Sequence, residues 1–234
     1  MLGVFVNTLA VIVGSTLGML CKKGLPERLT SAIMIGIGLC TLYIGISGLG
    51  SSSSTLVIIF AVVLGAVIGT LLDIDRALST MGQRLENRWP RKDNGSAPLA
   101  QGFVTASLLF CVGSMTITGS LTSGLTGDHS IIFAKSLLDL ISSFILGASL
   151  GFGVLLSALF VLVFQGAIVL LASALAPVLT AAAIADMTCA GSLLVIALGL
   201  NILDITKIKA ANYLPAILIS PLITWIAELL GNLF

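Results

Sequence analysis

The sequence predicts an all-α polytopic membrane protein, and three observations carry that reading. Of its 234 residues, 57% are hydrophobic and only 9% are charged, where a soluble globular domain holds roughly 25% charged residues. Mean hydropathy is +1.17. The apolar residues fall into continuous runs long enough to cross a hydrocarbon core, which takes ~20 residues of helix. A helix satisfies its own backbone hydrogen bonds, so it is the element such runs form in lipid.

Eight spans are expected within one transmembrane domain, 1–234. The first is Leu2–Cys21; its positive charges, Lys22 and Lys23, follow the apolar run, so it reads as a retained span rather than a signal peptide. Leu29–Leu49 follows a short loop ending at Arg28, and Thr55–Leu72 follows the serine turn Ser51–Ser54. The long polar segment Asp73–Pro98 then interrupts the pattern with clustered charges and Pro, Gly and Asn breakers. The later spans are Leu99–Leu121, Ile131–Gly151, Phe152–Leu175, Ile184–Leu203 and Ala210–Leu230. In the fourth, the second half Gly113–Ser120 is rich in Gly, Ser and Thr. Two readings stand: a broken helix that exposes backbone to a cavity, or small residues that let helices pack closely.

Lys and Arg set the orientation. With the N-terminus outside, the loops after spans one, three, five and seven are cytoplasmic. They hold Lys22, Lys23, Arg28, Arg76, Arg84, Arg88, Arg91, Lys92, Lys207 and Lys209, every basic residue except Lys135. Both termini are therefore expected outside and the 73–98 loop inside. A 3+2+3 inverted repeat is also compatible with the pattern: a shift of 154 positions pairs Leu39 with Leu193, Gly45 with Gly199 and Leu49 with Leu203. Moving by five spans reverses orientation, which is a construction common in secondary transporters.

Composition narrows the function. The net charge is +1, with no basic stripe, so no nucleic-acid partner is expected. Cys21, Cys40, Cys111 and Cys189 are dispersed and only one His occurs, so no metal site is expected and the cysteines read as small apolar residues. No cofactor motif, phosphate loop or HExxH is present. Leu125-Thr126-Gly127-Asp128 lacks the first glycine of an intramembrane aspartyl protease motif. An enzyme is not expected.

The candidate site centres on Lys135 and Asp139, four positions apart in span five and so on one helix face. A lone charge at the bilayer centre costs ~2.5–3.5 kcal/mol or more. The pair therefore either binds a proton, a cation or a substrate carboxylate, or braces the bundle by mutual neutralisation. Asp128 and His129 lie at the outer mouth of the same span. Ser114, Thr116 and Thr118 in span four could line the site. Asp186 starts span seven, where it serves either as a helix cap or as a cavity group; Asn201, fifteen positions on, is too far to share one site with it. Among the amides Asn7, Gln165 and Asn212, interhelical hydrogen bonding is the simpler role, with Gln165 and Asn212 kept as binding candidates.

Several stretches carry a family resemblance. They are Leu25-Pro26-Glu27-Arg28, Phe110-Cys111, Gly124-Leu125-Thr126-Gly127-Asp128, Ala134-Lys135-Ser136, Leu138-Asp139, Ser149-Leu150-Gly151 and Asn212-Tyr213-Leu214-Pro215-Ala216. Across nearly its whole length the chain resembles the YqgA/YdfK family of bacterial membrane proteins. Gly113-Ser114-Met115 and Gly191-Ser192 depart from the glycine-rich patterns expected there. The resemblance implies a bacterial inner-membrane protein, sometimes described as a transporter, and supplies no substrate.

Together these readings favour transport of a small polar or ionic solute, coupled to protons or cations, with the lipid bilayer as solvent and a homo-oligomer compatible with it. The alternatives are a scaffold, sensor or assembly protein acting through the 73–98 loop, and an ion channel. The topology has a direct check. In a cysteine-free background, a cysteine at position 94 is expected to react with an impermeant maleimide only after cells are permeabilised; labelling of intact cells would contradict the orientation.

Overall fold

The computed structural model describes residues 1–21, 27–52, 54–77, 79–80, 99–111 and 113–231. Among them every regular element is helical. We label the principal helices α1 (Leu2–Cys21), α2 (Glu27–Gly48), α3 (Thr55–Leu71), α4 (Leu99–Cys111), α5 (Ser114–Leu125), α6 (Ser130–Leu150), α7 (Phe152–Leu170), α8 (Ala181–Ile202) and α9 (Pro215–Gly231). Short 3-10 turns at Leu49–Ser51 and Ala210–Tyr213, and one helical turn at Ala172–Leu175, join them. Most of the 73–98 loop, residues 81–98, lies outside the described residues.

Six helical segments are long and apolar enough to cross a membrane among the described residues: α1, Met34–Ser51 (the later part of α2 with the turn after it), α6, α7, α8, and α9 with the turn before it. The chain is thus a helical membrane protein. The α3 helix is apolar but only 17 residues long, ~25 Å at 1.5 Å per residue. The expected fourth span is two helices, α4 and α5, meeting at 59°. The segment is thus not one continuous helix, and Thr116 Oγ1 bridges the two parts by donating to Phe110 O at 2.9 Å.

Local chemistry explains the other boundaries. Gly151 sits at φ +70 between α6 and α7, a left-handed conformation that glycine adopts without cost, so the two helices reverse direction in a single residue. Thr180 caps α8, its Oγ1 accepting from Ala183 N at 3.2 Å. The helix thus starts at Ala181 rather than Ile184, and Asp186 lies inside its second turn rather than at its cap. Pro215 opens α9, where its missing N–H costs nothing. Pro221 interrupts the ladder within α9, and Ser220 Oγ donates to the Ile217 carbonyl that the proline leaves free, at 3.3 Å.

The most extensive helix pairs are α1 with α6, α2 with α8, α4 with α7 and α3 with α9. Close approaches give their directions. Gly3 meets Ile132 and Gly18 meets Phe144, so α1 and α6 run parallel. Gly38 meets Leu203 and Gly48 meets Ser192, so α2 and α8 are antiparallel, as are α3 and α9 through Gly65–Ala216 and Gly69–Asn212. Two main apolar clusters fill the interior. One joins α4, α5, α7 and α8 around Leu108, Ile117, Ile168 and Leu194; the other joins α1, α4, α6 and α7 around Val11, Phe110, Leu150 and Val154.

The α1–α6 contact is nearly backbone on backbone. A Cβ at Gly18 would lie 2.0 Å from Phe144 O, and one at Gly147 would lie 2.5 Å from Ser15 O. Such approaches take the place of a hydrophobic driving force between helices in lipid. Gly18→Val is therefore expected to push the helices apart and lower stability by ~1–3 kcal/mol, the usual cost of overpacking. Thermal unfolding in detergent reads it, and an unchanged Tm would contradict the packing described.

Candidate functional site

Helix α6 has two unlike faces. Leu137 and Leu138 are 61% and 54% exposed, the surface expected to meet lipid, whereas Ile132, Lys135, Ser136, Asp139, Ser143 and Leu146 turn inward. The four-residue spacing puts Lys135 and Asp139 on that inner face. Both are enclosed, at 6% and 5% exposure, and they form an ion pair in which Lys135 Nζ donates to Asp139 Oδ2.

Two further helices complete the cluster. Asn7 of α1 donates from Nδ2 to Asp139 Oδ2 at 3.0 Å and to Gln165 Oε1 of α7 at 3.2 Å. The amide orientations follow from chemistry: a carboxylate only accepts, so Asn7 turns its nitrogen to Asp139, and Gln165 then answers with its oxygen. That arrangement leaves Asn7 Oδ1 and Gln165 Nε2 without a hydrogen-bond partner among the described residues, although both side chains are fully buried. Cys111, the last residue of α4, is buried in the apolar cluster that packs α4 against α1, α6 and α7. The site is thus an ion pair, two amides and a helix break held between α1, α4, α6 and α7.

No other charge competes there. Helices α1, α3, α4, α5 and α7 contain no Asp, Glu, Lys or Arg, and α2 carries only Glu27 and Arg28 at its start. The pair is therefore each partner's principal source of compensation in a low-dielectric interior, where a stranded charge is costly.

The remaining candidates scatter. Asp128 is exposed at the mouth of α6, its Oδ1 accepting from the Ser130 N–H at 2.9 Å and from the Ser130 hydroxyl. These bonds, the hydroxyl's first, hold its carboxyl below the usual range. It stays outside the buried cluster. His129 Nδ1 bonds Ser123 Oγ at 2.7 Å. Thr116 is buried and occupied with Phe110 O, whereas Thr118, two residues on, is exposed; the structure does not bring the two together. The side chain of Ser114 lies outside the described ones. Asn212 is buried at the other end of the bundle, its Oδ1 accepting from Asp75 N at 2.8 Å. Asn201 braces the loop after α8, bonding Thr206 Oγ1 and both backbone groups of Ile208.

Asp186 forms a second buried polar cluster. Its Oδ1 accepts from Ser52 Oγ and its Oδ2 from Thr224 Oγ1, each at 2.7 Å. It ties α8 to α9 and to the turn between α2 and α3. Two cavities open where α3 and α8 end and α4 begins: one of about 190 Å³ lined by Asp75, Gln101 and Asn201, and one of about 490 Å³ lined by Asp73, Lys209 and Asn212. The helix directions place them at the end of the bundle away from Lys135.

An all-helical membrane bundle with an enclosed Lys–Asp pair is the class that fold and site define. Residues 2–225 match the family described as "Protein of unknown function (DUF554)", and the chain belongs to that family. It is 30% identical over the full length of both chains to the "Uncharacterized membrane protein YdfK" of Bacillus subtilis. To the "Uncharacterized protein YqgA" of Escherichia coli it is 33% identical, over 94% of each chain. No solved structure matches.

Asn7 is the residue that sequence reasoning did not place in the site. Its signal was an amide in the second turn of an otherwise apolar span, and its partner lies 132 positions away. The pair has a stability signature. Lys135→Met or Asp139→Leu alone strands one buried charge and is expected to cost ~3–5 kcal/mol, while the double substitution recovers most of it. Thermal unfolding of the three variants checks this; additive losses would contradict a coupled pair.

Proposed function

We propose that this protein is a secondary transporter of a small polar or ionic solute in the bacterial inner membrane, coupled to protons or cations. The observation that carries the reading is the enclosed Lys135–Asp139 pair, which shares its amide partners with two further helices beside a broken span. Ionisable groups inside membrane segments mark substrate and ion pathways, and discontinuous helices supply the irregular backbone such pathways use. A brace alone needs neither the break nor two amide groups left without partners.

The architecture supports the same reading. If α4 and α5 together count as one span and α3 as another, the chain crosses eight times. The directions found for α1, α2, α3, α6, α7, α8 and α9 fit that alternation. An inverted repeat relating α1–α3 to α7–α9 would pair α1 with α7, α2 with α8 and α3 with α9, and each of these pairs is in contact. With both termini outside, Lys135, Asp139 and Asp186 lie in the outer half and the two cavities open toward the cytoplasm.

A thermal-shift screen of the purified protein against metabolites and ions tests the proposal. A ligand at a hundredfold excess over its Kd stabilises by ~2.7 kcal/mol. At least one is expected to raise the Tm of the native protein and to shift the double variant Lys135→Met with Asp139→Leu much less. Equal shifts in both proteins, or none across the screen, would contradict a binding role for this site.

A further inference from the structure

The groups around Asp139 set what the site can load, an argument that rests on the transport reading above. The resting pair is neutral: one ammonium, one carboxylate. Both hydrogen bonds to the carboxylate fall on Oδ2, from Lys135 Nζ and Asn7 Nδ2, which leaves Oδ1 for a proton. The surrounding inventory is rich in donors. Lys135 carries three N–H groups and uses one on Asp139; Gln165 Nε2 has no partner. Asn7 Oδ1 is a buried acceptor without a donor among the described residues, which suits the O–H that a protonated Asp139 would present.

Charge then selects the cargo. A proton alone on Asp139 leaves Lys135 as a lone buried cation. An anion alone, beside Lys135 and an ionised Asp139, leaves a net negative charge. Either state is penalised in the bilayer interior. Loading both keeps the site neutral: the proton goes to Asp139 Oδ1, the bond from Lys135 to the carboxylate is released, and the ammonium with Gln165 Nε2 receives the anion. A metal cation meets the opposite inventory, because the Lys135 ammonium already occupies the carboxylate oxygen. No group of three or more His, Cys, Asp or Glu gathers here or elsewhere among the described residues. The other groups around Asp139 are Cys111 at the α4 end, Asn7 from α1 and Gln165 from α7; α5 faces α6 through Gly119, and His129 sits at the mouth beside Ser123 and Phe133.

We infer that Lys135 and Asp139 form an electroneutral loading site that takes one proton together with one small monovalent oxyanion, such as a monocarboxylate. In this arrangement Lys135 is the anion-binding residue and Asp139 the proton-binding residue, and neither is occupied without the other.

Proton uptake on anion binding tests it. Purified protein in weakly buffered detergent is titrated with formate and with nitrate while a pH dye reads the solution, and a fluorescence or calorimetric signal reads binding. For the native protein about one proton is expected to be taken up per anion bound, and affinity should fall about tenfold for each unit of rising pH above the range where Asp139 is protonated. Asp139→Asn, which imitates the protonated carboxyl, is expected to bind the anion with no proton uptake and no pH dependence. Lys135→Met is expected to lose binding. Should Lys135→Met unfold, Lys135→Met with Asp139→Leu keeps the neutral pair and should likewise not bind. Absence of proton-linked binding with both anions overturns the inference. If sodium or potassium binding instead releases a proton, the transport reading survives with a cation as cargo. If neither ions nor anions move a proton and the double variant is as stable as the native protein, the pair is a brace and the transport reading falls as well.

Discussion

The structure turns on keeping two charges out of lipid. Lys135 and Asp139 are the only charged residues on α6, and the helices packed closest around them contribute none. Each partner removed alone strands the other in a medium that penalises it heavily. The surrounding features serve that constraint. The leucines of the outer α6 face are left to meet the bilayer. Gly14 and Gly18 on α1 admit the backbone of α6, and the parallel packing that results brings Asn7 level with Asp139. Gly151 folds α7 straight back, which returns Gln165 to the same depth.

Asp186 solves a similar problem by other means. It too is fully buried, but hydroxyls from Ser52 and Thr224 hold its two oxygens. Those bonds join α8 to α9 and to the turn after α2, so this carboxylate secures one group of helices while the ion pair secures another. The amides Asn201 and Asn212 belong to loops at the far end, where they satisfy backbone groups that no helix ladder reaches. Some buried polar residues in this bundle therefore close the backbone's hydrogen-bond accounts, whereas the cluster around Asp139 leaves Asn7 Oδ1 and Gln165 Nε2 unspent among the described residues.

What the sequence revealed follows from the range over which each signal acts. Apolar runs are local, so α1, α6 and α7 begin within a residue of where hydropathy puts them. The i,i+4 rule is local as well, and it placed Lys135 and Asp139 on one face before any packing was known. Asn7 could not be assigned to Asp139, because nothing within α1 records which face meets α6. The interruption between α4 and α5 was ambiguous because Gly, Ser and Thr serve close packing as readily as unwinding. The start of α8 was misplaced because the helix is set by its cap Thr180 rather than by the first bulky apolar residue, and Ala181–Ala183 form helix well. Thr118 was grouped with Thr116 by composition, and a spacing of two residues on a helix sends them to different faces.

The central claim is that Asp139 exchanges a proton rather than serving only as a fixed partner for Lys135. Infrared difference spectroscopy of the native protein, taken from mildly alkaline to mildly acidic solution in the presence of formate, reads it most directly. A carbonyl stretch of a protonated carboxylic acid is predicted to appear on acidification and to be missing from Asp139→Asn, with bands from Asp186 and the surface carboxylates common to both. A native spectrum that matches that of Asp139→Asn throughout would contradict the claim and leave the pair as structural support.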